Sequence, residues 1–145
     1  MKITGMMLFL RYAFVCAEDR LRAHKITQKD YERLLRMLAE SEEIDTAFLS
    51  HCFPDATAGL RKFAKDRHFE NMWAFDVVAE YWRHHHGKHG YCAVSAGVIV
   101  HTAFKNKIVG IEISGRRAPF INEYGLVLTD GQQVFVHRHS VIEVL

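Results

Sequence analysis

Apolar residues recur along this chain with two different periods, and the change falls near residue 90. From Met6 to about His86 the like positions lie three to four residues apart, the spacing of amphipathic helices. Leu8, Tyr12 and Val15 predict a first helix that turns polar toward Asp19 and Arg22. Thr27 followed by Asp30 has the form of a capping box and opens a second helix, with Tyr31, Leu34, Leu35 and Leu38 on one face. Asp45 is placed to cap a short helix through Phe48 and Leu49, and Pro54 suits the first turn of the next, which carries Leu60, Phe63 and Ala64 inward. Asn71 is expected to cap the last helix, with Phe75, Val78, Ala79 and Trp82 as its inner face and Gly87 as the residue that ends it.

Beyond Gly90 the period becomes that of strands. The stretches "CAVSAGVIVHTAF" and "KIVGIEIS" are short, rich in β-branched residues, and separated by a turn at Lys105-Asn106. In "GLVLTDGQQVFVHRHSVIEVL" the pair Asp130-Gly131 is the strongest hairpin signal of the chain. About five strands fit into this half, and closure into a small barrel would leave no exposed edge. The expected class is therefore α+β: an all-helical domain over residues 1–87, then a small OB-like or SH3-like β-barrel over 91–145.

Composition changes this picture little. The chain has 145 residues, 49% of them apolar and 25% charged, as in ordinary soluble domains. A formal charge of +2 gives no global field toward nucleic acid or anionic lipid, so neither is an expected partner. Lys105, Lys107, Arg116 and Arg117 lie near only two aromatic residues, Phe104 and Phe120, and read as a solvated face. Three cysteines, at 16, 52 and 92, make no disulfide framework and point to a reducing, cytoplasmic setting. The apolar run at 5–17 contains Arg11 and is far shorter than the roughly 20 residues of a bilayer span, so it reads as a buried helix. Cys16 and Cys52 fall in apolar helical runs and read as buried, inert thiols.

The chemistry concentrates in "YWRHHHGKHGYC", residues 81–92, where His84, His85, His86 and His89 precede Cys92. Two or three imidazoles with a Cys92 thiolate are a ligand set for Zn, Ni or another transition metal. Their spacing matches no established zinc signature, and a solvated helix end, where histidines suit the helix dipole, is the favoured reading over a metal site. His137 and His139 share a face in the strand region; with His101 they form a second cluster or, as the favoured reading, are three unrelated surface residues. The chain has no G-x-S-x-G, no phosphate-binding glycine loop and no H-E-x-x-H, which favours a non-catalytic accessory protein with a protein partner. The alternative is a metal-binding enzyme built on the segment from His84 to Cys92.

Residues 92–145 also resemble a family. "CAVSAGVIV" and "DGQQVFVHRHSVIEVL" are similar to the small hydrogenase assembly chaperones of the HypC/HupF type, which open on a cysteine, have a glycine at the same offset and carry a late Val-His strand. The resemblance implies an OB-like barrel that uses Cys92 to contact an iron centre or an assembly partner. It further implies Gly97 as the tight turn into the first strand, and Val136 and His137 in the late strand, with Glu143 just beyond. This chain departs from the family in its internal cysteine, in Ala96 before the glycine and in the lack of a C-terminal helix after the barrel.

Overall fold

The computed structural model describes residues 3–40, 43–87 and 93–145. It divides into two units, residues 1–86 and 87–145. The first is helical and the second is a five-stranded barrel, so the chain is α+β as its periodicity predicts. No described helix is long and apolar enough to cross a membrane.

In the first unit α1 runs Gly5–Phe14, capped by Thr4, whose hydroxyl accepts from Met7 N at 3.1 Å. The single helix expected here is broken. Cys16 N bonds to Ala13 O, three residues back, which tightens the last turn, and α2 restarts at Ala17–Arg22. His24 then takes a left-handed backbone (φ 57°) and ends α2.

The capping box before α3, Gln28–Glu40, is formed in both directions. Asp30 N donates to the Thr27 hydroxyl at 3.1 Å, and Thr27 N donates to the Asp30 carboxylate at 3.0 Å. Its inner stripe is narrower than expected. Leu34 and Met37 are fully buried, whereas Leu35, one residue or about 100° around the helix, is 42% exposed.

Asp45 caps α4, Thr46–Cys52, by accepting from Ala47 N at 2.9 Å, and Pro54 opens α5, Pro54–Asp66. Leu60, Phe63 and Ala64 of α5 are buried as the spacing predicts. Asn71 does not cap the last helix. Its side chain accepts from Trp73 N in a local turn, and α6 begins only at Phe75 and runs to Glu80. Phe75, at that exposed start, is 40% accessible, while Val77, Val78 and Ala79 are buried.

Gly5 explains how α1 and the segment before α6 come so close, because any Cβ there would collide with the Trp73 carbonyl and the Ala74–Phe75 backbone. Phe9, Tyr12, Trp73 and Trp82 form the aromatic centre of this unit. α6 continues into a π-helical turn, Tyr81–His85, closed by His86 N to Tyr81 O at 2.8 Å. Gly87 follows with φ 51°.

The second unit contains β1 (Val94–Ala103), β2 (Ile108–Ile113), β3 (Arg116–Ile121), β4 (Gln133–His137) and β5 (Ser140–Val144). Their order around the closed barrel is β1-β2-β3-β5-β4, with β3 and β5 parallel and every other pair antiparallel. Insertion of β5 between β3 and β4 is a Greek-key closure of the OB-like kind. Ile99, Val109, Ile111, Val134, Val136 and Val141 point inward, and Leu128 of the long β3–β4 loop joins them as a plug.

"GLVL" is therefore irregular loop and not a strand: Leu128 is buried and Val127 is 81% exposed. Asp130-Gly131 still turns, with Gly131 at φ 88°, but it delivers the chain to β4, which pairs with β1 and β5. The tight hairpins lie elsewhere, at Ser114-Gly115 between β2 and β3 and at Arg138-His139 between β4 and β5. Ser114 and Gly115 both have positive φ, as a two-residue turn of matching twist requires.

Candidate functional site

Of the three described hinge histidines, His84 and His85 share Glu80 as a neighbour and His86 faces elsewhere. His84 Nε2 lies 4.0 Å from Glu80 Oε2. His85 Nε2 lies 3.2 Å from the Arg67 guanidinium and 3.7 Å from Glu80 Oε1, with its ring 4.7 Å from that of Phe63. A guanidinium can only donate, so the contact with Arg67 is a hydrogen bond in the tautomer that leaves His85 Nε2 as its acceptor. Arg67 occupies the lone pair a metal would need.

His86 packs its ring 4.0 Å from Trp82 and approaches the Tyr81 hydroxyl through Nδ1 at 3.2 Å. Burial pushes the Tyr81 phenol up to about 12, with the Asp55 charge adding to it, so the hydroxyl stays protonated beside His86. Gly59 of α5 leaves the space that this hydroxyl fills. Among the described residues no three His, Cys, Asp or Glu side chains form a metal-binding group. His89 and Cys92 lie outside the described residues.

The residues carried over from the barrel resemblance are placed as follows. Gly97 sits inside β1, opposite Val134, and not in a turn. A Cβ there would lie 2.5 Å from Ile111 Cγ2 and 2.9 Å from Ile113 Cγ1, so glycine serves the close crossing of β1 over β2. His137 ends β4 opposite Val94 and is fully buried, as is Ser140 across the hairpin, and Glu143 is nearly so. Ser140 Oγ donates to Glu123 at 2.8 Å. His101 and His139 are exposed and line two separate clefts, so the second histidine group does not assemble.

The first cleft, about 460 Å³, opens at the barrel end where β1 starts and β4 turns into β5. Ala93, Ser95 and Phe120 line it together with Arg138 and His139 of the hairpin. The second, about 370 Å³, runs over the outer face of β1, β2 and β3 between His101, Ile108 and Arg117. The end cleft has no direct sign in the sequence beyond the polar pair Arg138-His139 between two apolar strands.

Of the two helical-unit cysteines read as buried and inert, Cys52 is buried and Cys16 is only partly so. Cys52 is fully buried, and desolvation, helped by the nearby Asp30 charge, pushes its thiol up to about 12. Cys16 is half-buried between α1 and α2.

Comparison with protein-family models, with curated proteins and with solved structures finds no match.

Proposed function

We propose that this protein is a non-catalytic accessory protein whose barrel engages a protein partner, or the metal centre such a partner carries, through Cys92. The observation that supports this reading is the end cleft. Cys92 is bonded to Ala93, and consecutive Cα atoms lie about 3.8 Å apart, so the thiol-bearing residue adjoins a residue that lines the cleft. Arg138 and His139 line the same cleft. If the Cys92 thiol reaches this cleft, the guanidinium would favour its thiolate, the form that binds metal and attacks disulfides. The likeness of residues 92–145 to the HypC/HupF chaperones suggests iron as the metal and hydrogenase assembly as the setting.

The test is anaerobic titration with ferrous iron, paired with mild alkylation at neutral pH. The expected result is that Cys92 is labelled first, that Arg138→Glu slows its labelling, and that Cys92→Ser abolishes iron binding with the fold intact. Unchanged iron binding in Cys92→Ser, or equal slow labelling of all three cysteines, overturns the reading.

A further inference from the structure

The outer face of β1–β2–β3 is brought together by strand register, and the sequence order hides it. Ala103 pairs with Ile108, and Ile108 with Ile121, giving one apolar row. Two residues along, about 6.8 Å at strand rise, His101, Gly110 and Pro119 form the next. Gly110 has no side chain to fill the middle of that row, and the result is the 370 Å³ trough, with Arg117 at its far end. Ile108 and Ile121 remain 39% and 46% exposed.

The β1–β2 turn stands at the head of this trough and is held there against backbone preference. Phe104, Lys105 and Asn106 have φ of 50°, 56° and 66°, three successive non-glycine residues in the left-handed region. Such conformations persist only where their surroundings fix them. Here the buried Asn122 does so: its amide donates to Asn106 O at 2.8 Å, and its backbone N to Lys107 O at 2.8 Å. The clamp presents Phe104 to solvent at 74% exposure, beside the exposed Lys105 and Lys107.

From this arrangement we propose that the β1–β2–β3 face binds single-stranded nucleic acid, with a base stacked on Phe104 and phosphates met by Lys105, Lys107 and Arg117. An exposed aromatic ring set among cations is what base stacking along a charged backbone requires. Glu112 is the one acidic residue in these three strands. An extended acidic peptide is the competing occupant, but peptides gain affinity on sheets by adding a strand to an open edge. The barrel is closed and offers none. Bases and phosphates need no edge. This site is independent of Cys92.

The experiment titrates the full chain at pH 8 with a labelled oligothymidylate and with a single-stranded RNA of equal length. Binding at low salt is expected for at least one of the two, with poly-glutamate a poor competitor. Three phosphate contacts predict a log–log salt slope of about −2. Phe104→Ala, at an exposed site, should weaken binding about tenfold or more. Lys105→Glu with Lys107→Glu should reduce the salt slope. Absence of binding at low salt overturns the proposal. So does binding that Phe104→Ala leaves unchanged, or that poly-glutamate displaces equally well.

Discussion

Trp82 lies parallel to Tyr12, with ring centroids 5.3 Å apart and planes 6° apart, and it receives the edge of Phe9 at 5.4 Å. The indole thus joins the π-helical turn to α1 and is almost wholly buried. Trp82→Ala should cost about 3–5 kcal/mol by the lost transfer and the cavity left behind. Trp82→Phe keeps a ring over Tyr12 and should cost distinctly less. Urea denaturation of the three proteins, followed by circular dichroism, checks the order.

Gly5 gives a prediction whose sign opposes helix propensity. In an ordinary helix interior Gly→Ala gains about 1 kcal/mol. The Trp73–Phe75 backbone leaves no room for a Cβ, so Gly5→Ala should destabilise instead, by about 1–3 kcal/mol of overpacking. A raised melting temperature in Gly5→Ala would contradict the packing of α1 on that segment.

Asp30 makes stability depend on pH. Its carboxyl lies below the usual range, chiefly because it accepts the backbone N–H of Thr27, with His51 at 3.1 Å as a further cause. A carboxyl lowered by folding contributes stability that is full above its ordinary value, near 3.8, and is lost as pH falls through the folded value. Asp30→Asn should therefore be less stable than the parent at pH 6, and the gap should close on acidification below about pH 4. Paired urea midpoints across that window measure it. A gap that widens in acid would remove the capping-box account.

Asn122 is the anchor of the β1–β2 turn and of the plug loop. Its side chain makes three bonds, to Asn106 O and Leu126 O as donor and from Leu126 N as acceptor. Asn122→Ala strands those groups and should cost about 1–3 kcal/mol. Faster amide exchange should appear at Leu126, whose N–H loses its acceptor.

The two glycines of the barrel sheet should separate cleanly. Gly97→Ala drives a methyl into Ile111 and Ile113 and should destabilise the barrel. A Cβ at Gly110 meets Val100 Cγ2 at 3.5 Å, an ordinary contact, so Gly110→Ala should fold normally and only narrow the trough. Thermal melts of the two variants decide this.

The helical half was largely legible because its signals are local. Thr27, Asp45 and Pro54 act within four residues, and the periodicity of α5 names its buried face directly. Where the reading failed, a distant contact had intervened. Nothing near Asn71 says that the chain turns once more before α6, nor does anything near Leu35 say which edge of the α3 stripe is covered. In the barrel the strand count came through, but "GLVL" has the composition of a strand and the role of a plug. The trough was invisible because it is made by cross-strand register, and Arg117 and His101 meet only through β2. The hinge histidines were visible as a group. Their partners, Glu80 for two of them and Arg67 and Tyr81 besides, were not.

The π-helical turn works as a phase shifter for the end of the first unit. An α-helix advances about 100° per residue, so one additional residue in the ring closed from His86 N to Tyr81 O rotates everything after it by that angle. This sets His86 back over Trp82 and beside Tyr81 instead of one step around the axis. Deleting any single residue between Tyr81 and His85 would restore α-helical winding and turn His86 away from Trp82. The number of residues in this turn, as much as their identity, fixes the heading on which the polypeptide leaves the helices.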